Sequence, residues 1–89
     1  MLPDQDQILA ELTQIIRDVL ELPELAVSAA TNAANIEEWD SFNQINIIVA
    51  VEAKFGIRFK TAEFEALTNV GALASLVREK LMLRARAHG

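Results

Sequence analysis

Cysteine is absent from the chain, and histidine occurs once, as His88 beside the C-terminus. The first absence excludes disulfides, thiolate chemistry and thiolate metal sites. The second excludes a His-rich zinc centre and argues against a His-based catalytic triad. Breakers are few: three glycines (Gly56, Gly71, Gly89) and two prolines (Pro3, Pro23). With Ala, Leu, Glu and Ile abundant, that scarcity favours helices. No run approaches the ~18 apolar residues of a membrane-spanning helix. Met1 to Gln7 is polar and acidic and lacks the basic and apolar regions of a secretory signal, which favours a cytoplasmic protein. Basic charge is nearly missing from the front of the chain. Residues 1–52 hold ten acidic residues and one basic, Arg17, a net of −9, whereas residues 53–89 hold three acidic and seven basic, a net of +4. An acidic front half argues against nucleic-acid binding. The basic tail (Arg78, Lys80, Arg84, Arg86) reads first as favourable charge at a helix C-terminus.

What is present fits one small domain over residues 1–89. Hydrophobic residues make up 52% of the 89 and charged residues 24%, so the chain is not globally disordered. A chain this short buries roughly 60–70% of its unfolded surface, enough for one modest core. Ile8, Leu9, Leu12, Ile15, Ile16, Val19 and Leu20 form one stripe at helical period, predicting a helix over about 4–21. Pro23 stops it and pushes Leu22 out of the helical region. Residues 22–40 read as a long ordered loop, with one turn near Ser28–Asn32, anchored by Leu22, Leu25, Val27, Ile36 and Trp39.

A second helix is expected over about 41–55. Phe42, Ile45, Ile48, Val49, Glu52 and Phe55 fall on one face of it, and Ile47 and Val51 on an adjoining one. So wide an apolar arc suits a central helix touching several neighbours. Gly56 suits its C-terminal cap. Ile57-Arg58-Phe59 is too short for a sheet and reads as an extended connection. Thr61 is a candidate cap for a short helix over about 62–67, and Thr68 or Asn69 for a last helix over about 70–84. The last helix carries Val70, Leu73, Leu76, Val77 and Leu81 on its stripe. Three long helices and one short one can bury their stripes only against each other, so the fold class is all-α, a small four-helix bundle.

One stretch departs from the pattern of a solvated surface: Glu38-Trp39-Asp40-Ser41-Phe42, where the long loop enters the second helix. Spacing alone reads Asp40 and Ser41 as an N-cap. A serine hydrolase finds no support, since no base and no G-x-S-x-G elbow accompany Ser41. The stretch nevertheless resembles the acyl carrier protein family. The matching residues are Trp39-Asp40-Ser41-Phe42, then Ile45, Ile47-Ile48, Glu52, Phe55-Gly56-Ile57 and Phe59, and further on Phe64 and Thr68-Asn69-Val70-Gly71. With the first-helix stripe and the long loop, the likeness covers nearly the whole chain.

The resemblance implies a carrier, not an enzyme. Ser41 would receive 4′-phosphopantetheine from coenzyme A through a phosphopantetheinyl transferase. Acyl intermediates would ride on the arm as thioesters to the loading, transfer or condensing enzymes of fatty acid, lipid or polyketide-type biosynthesis. Asp40 would cap the helix and help the transferase recognise it. Phe42, Gln44, Ile45 and Glu52 would meet partner proteins. No resident metal, nucleic acid or membrane span is implied, and a monomer is expected. Two departures stand out. Phe42 replaces the commoner leucine, and the acidic stripe usual on the second helix of central fatty-acid carriers is reduced to Glu52, which points to a specialised member. A peptidyl or aminoacyl carrier and an unmodified helical adaptor remain as alternatives. Core aliphatics (Ile45, Ile48, Val49, Leu73, Leu76) are candidates to part around a bound acyl chain.

Overall fold

The computed structural model describes residues 3–88. Met1, Leu2 and Gly89, and the side chains of Ala87 and His88, lie outside the described residues. Four α-helices and one 3₁₀ turn make up the regular structure, and no strand occurs among the described residues. The chain is thus the all-α bundle its periodicity implies.

Helix α1 spans Gln5–Leu20 and opens on a reciprocal cap. Asp4 Oδ1 accepts the Gln7 N–H at 2.8 Å, and Gln7 Oε1 accepts the Asp4 N–H at 2.9 Å, so two otherwise orphaned donors are satisfied at once. The helix ends before Pro23 is reached. Glu21 turns left-handed (φ 58°), and the Leu22 N–H closes onto the Arg17 carbonyl at 3.0 Å. Ile8, Leu12 and Ile16 are fully buried. Helix α2 spans Ser41–Phe55, helix α3 Thr61–Glu65 and helix α4 Val70–His88.

The central helix is α1, which packs against both α4 and α2, and not α2 as its apolar arc suggests. That arc is split in the structure. Ile47, Ile48 and Val51 enter the core, while Phe42, Ile45 and Val49 are 73%, 57% and 57% exposed. Of the two apolar faces, the one with Phe42, Ile45 and Val49 thus lies largely outside, as expected for residues that meet partners, and the adjoining face of Ile47 and Val51 is the inner one. A pattern apolar on both faces leaves that choice to the packing partner, and here the partner is α1. Ile45 and Val49 accordingly cannot part as core residues. Val70, Leu73, Ala74 and Val77 of α4 complete the core, with Leu76 and Leu81 half-buried.

Two further differences have local causes. Helix α4 runs past the expected stop near Arg84 to His88, since Ala85, Arg86 and Ala87 contain no breaker. Helix α3 starts at Thr61, with Lys60 rather than Thr61 in the cap position. There Glu63 reaches back to accept the Lys60 N–H at 2.8 Å. The same oxygen of Glu63 takes the Lys80 ammonium at 2.8 Å, and Lys80 lies over the Phe59 ring, which ties α3 to α4. The Lys80 hydrogen bond, then the Lys60 N–H, hold the Glu63 carboxyl below its ordinary value.

The long loop is held by its backbone. Arg17 Nε donates to the Leu25 carbonyl at 2.7 Å. A turn closes between Ser28 and Thr31, and a 3₁₀ turn follows at Ala33–Asn35, capped by Asn32. The first N–H groups of α4 then bind the loop: Val70 N donates to Thr31 O at 2.9 Å and Gly71 N to Ala29 O at 2.8 Å. Leu22, Leu25, Val27, Ile36 and Trp39 pack their half-buried side chains on the core. Ordered in this way, the loop delivers residues 36–40 to the start of α2 in one fixed approach.

Candidate functional site

Helix α2 begins where the loop is pinned to it from both sides. Asp40 is extended (φ −88°, ψ −176°), and its Oδ1 accepts the Asn43 N–H at 2.8 Å, the N-cap that its residue type favours. The Asp40 carbonyl accepts the Gln44 N–H at 2.9 Å. Asn43 Nδ2 donates back to the Glu38 carbonyl at 2.8 Å, and Trp39 Nε1 donates to Gln44 Oε1 at 2.6 Å. Four bonds thus clamp residues 38–40 onto the first turn.

Ser41 is the first helical residue and is exposed. Its hydroxyl forms no hydrogen bond among the described residues, and neither do the backbone N–H groups of Ser41 and Phe42. Two free donors at a helix start, with the helix dipole behind them, favour an anion bonded to this side chain. Beside it runs an open groove of about 420 Å³, bordered by Trp39, Ser41, Ile45, Phe64 and Leu67 among others. The setting is one a covalent phosphodiester and a partly apolar tether can occupy without displacing any side chain of the core. Glu37, Glu38 and Asp40 are all exposed, so the approach to Ser41 is acidic. Among the described residues no cluster of three potential metal ligands occurs.

The residues expected to meet partners separate into two groups. Phe42 and Ile45 stand exposed on α2, and Val49 extends their line by one turn. The sequence signal for that line, apolar residues at i, i+3 and i+7, was present, but it reads equally well as core. Gln44 and Glu52 are half-buried and internally engaged, Gln44 with Trp39 and Glu52 through Oε2, which accepts the Phe59 N–H at 2.8 Å. Glu52 thereby fixes the connection after α2. Ala33, Phe64 and Leu67, which complete the groove beside Ser41, come from segments far apart in sequence and carry no local signal.

Residues 10–77 match the family described as "Phosphopantetheine attachment site". The acyl carrier protein of Acidothermus cellulolyticus is 31% identical over 75% of this chain and 80% of its own length. That of Thermotoga maritima is 23% identical over 86% of this chain and 95% of its own. The solution structure of the holo acyl carrier protein of Geobacter metallireducens superposes with a TM-score of 0.83 at 36% identity, covering 92% of this chain and 94% of that one.

Proposed function

This chain belongs to the phosphopantetheine attachment-site family, as an acyl carrier protein-type domain, and on that footing we propose that Ser41 is its attachment residue. The domain carries and does not catalyse, and its prosthetic group is phosphopantetheine. The observation that supports Ser41 is its placement: an exposed, unbonded hydroxyl on the first residue of α2, with two unpaired N–H groups beside it.

The chain's own residues divide the work. Asp40 holds the first turn closed through the Asn43 N–H, so the Ser41 hydroxyl is presented on a formed helix rather than a fraying one. Asp40, Glu37 and Glu38 attract the cationic or metal-bearing surface of a transferase. The N–H groups of Ser41 and Phe42 stabilise the phosphodiester once formed. When bound, the group supplies a terminal thiol on a long flexible tether, on which acyl groups travel as thioesters. The pinned loop and the α1 core keep the rest of the domain unchanged while the tether moves.

The partners are enzymes of fatty acid, lipid or polyketide-type biosynthesis, and the face they meet is apolar. Phe42, Ile45 and Val49 line the exposed side of α2, with Asn46 and Ala53 between and beyond them. Glu52, the one acid of the helix, holds the backbone at Phe59. Such a face gains from buried apolar area more than from long-range attraction, which salt screens within about 8–10 Å. The reading is thus a specialised carrier with partners other than the general fatty-acid enzymes.

The test is the mass of the intact protein after incubation with coenzyme A, magnesium and a broad-specificity phosphopantetheinyl transferase. A gain of one phosphopantetheine that disappears in Ser41→Ala is expected. A gain that survives Ser41→Ala moves the attachment elsewhere, and no gain leaves an adaptor with a carrier's fold. Titration against a general fatty-acid ketosynthase tests the partner class, with weak binding expected.

A further inference from the structure

Two side chains on the first turn of α2 are engaged with the incoming loop rather than with the helix. The helix start is already closed by Asp40, whose Oδ1 accepts the Asn43 N–H and whose carbonyl accepts the Gln44 N–H. The carboxamides of Asn43 and Gln44 are therefore free to reach back. Asn43 Nδ2 donates to the Glu38 carbonyl at 2.8 Å, and Gln44 Oε1 accepts the Trp39 indole N–H at 2.6 Å. The indole N–H has no other acceptor among the described residues. Trp39 and Gln44 are both half-buried, so this bond is partly shielded from water.

What the Trp39–Gln44 bond holds in place is the acidic approach to Ser41. The Trp39 backbone N–H donates to the Ile36 carbonyl at 3.1 Å, and Ile36 packs on the core. Between these two anchors lie Glu37 and Glu38. Both are exposed, and neither carboxylate forms an ion pair or a hydrogen bond among the described residues. Their placement beside Ser41 is thus set by the backbone, and the backbone is tied to α2 through Trp39 at one end. Without the Gln44 oxygen the Asp40 cap and the helix survive, but the tie is weakened. A partner that reads Glu37 and Glu38 must then order the segment as it binds.

We propose that Gln44 is a positioning residue for phosphopantetheinyl transfer: through the Trp39 indole it keeps Glu37 and Glu38 in register with the Ser41 hydroxyl, where the cationic or metal-bearing surface of a transferase meets them. In the transfer, Ser41 Oγ bonds to the phosphorus that bears the pantetheine in coenzyme A. The bond from that phosphorus to the bridging oxygen breaks, the hydroxyl proton is released and adenosine bisphosphate leaves. Gln44 acts on the encounter and not on these bonds, so its loss raises KM for this chain and leaves kcat unchanged. The inference deepens the reading of Ser41 as the attachment residue and rests on it.

Three variants test it. Gln44→Met keeps the length and the helix propensity and removes the oxygen. Gln44→Glu keeps an acceptor for the indole, and Trp39→Phe keeps an aromatic ring without the N–H. Trp39 is the single tryptophan, so its indole N–H gives one proton resonance. That resonance should stay downfield in Gln44→Glu and move upfield, with faster exchange into water, in Gln44→Met. Steady-state transfer is then measured with coenzyme A, magnesium and a broad-specificity transferase. KM is expected to rise about threefold to tenfold in Gln44→Met and in Trp39→Phe at unchanged kcat, the effect of ordering a released segment. The double variant should be no worse than either single one, since both remove the same bond, and Gln44→Glu should recover most of the loss. An unchanged KM, a loss in kcat alone, additive effects in the double variant, or no recovery in Gln44→Glu would overturn the role of Gln44 while loading of the parent at Ser41 stands. A parent chain left unmodified, or modified on another residue, would overturn attachment at Ser41 and this inference with it.

Discussion

Replacing Gly71 with alanine sets two effects of opposite sign against each other. Alanine is the better helix former, by up to about 1 kcal/mol in a helix interior and less in the first turn. Gly71 lies in the first turn of α4, where its N–H binds the Ala29 carbonyl at 2.8 Å. A Cβ there would stand 2.9 Å from that same oxygen and 3.0 Å from the Ala29 Cβ. The obstacle is backbone, so it cannot swing aside as the end of a long side chain would. The loop must lift, and the bonds from Gly71 N to Ala29 O and from Val70 N to Thr31 O are weakened together. At about 1 kcal/mol for each backbone bond, the loss is about 2 kcal/mol and the helix gain offsets less than half. Gly71→Ala is expected to destabilise by about 1–2 kcal/mol, lowering Tm by roughly 4–8 °C per kcal/mol for a domain of this size. Urea unfolding and a thermal scan at one pH provide the measurement. A Tm at or above that of the parent would mean that propensity alone acts at residue 71, and that the loop is not held by these contacts.

Three further outcomes follow from the same structure. Glu21 sits in the left-handed region (φ 58°) at the end of α1, so Glu21→Gly should stabilise by about 1 kcal/mol, read as a rise in Tm. Lys80→Met removes the main cause of the lowered Glu63 pKa; the carboxyl carbon-13 titration of Glu63 should move up towards the ordinary Glu range. Because the folded pKa is the lower one, the stability linked to this pair is present above the ordinary Glu range and fades as pH falls through the folded value, and the acid end of the wild-type stability curve should flatten in the variant. Ile45→Glu changes an exposed side chain, so Tm should move by no more than a value equivalent to about 0.5 kcal/mol, while affinity for the physiological acyl-transfer partner should fall about tenfold or more, measured by calorimetric titration, as expected for an apolar contact near an interface centre.

The parts of this molecule that sequence makes legible are those whose physics is local or strictly periodic. The α1 stripe of Ile8, Leu12 and Ile16 is narrow, so one face can be buried and is. The cap at Asp40 involves residues three apart, and its chemistry is readable from residue type. The orientation of α2 is different in kind. Its residues are apolar on two faces, and only the position of α1 decides that Ile47 and Val51 go in while Phe42, Ile45 and Val49 stay out. The candidate site divides in the same way. The motif around Ser41 is contiguous, whereas the groove beside it needs Ala33, Phe64 and Leu67. Those residues meet only after the loop has docked on α4. Gln44 illustrates the limit: as the third residue after Ser41 it reads as surface, and the indole of Trp39 draws it into the wall of a pocket.

The attachment itself is tested most directly by peptide-resolved mass spectrometry of the protein purified from the cells that make it. The predicted spectrum places one phosphopantetheine on the hydroxyl oxygen of Ser41 and reveals any acyl group still bound to its thiol. A bare Ser41 in cells with an active transferase, or the same group found on another residue, would contradict the account.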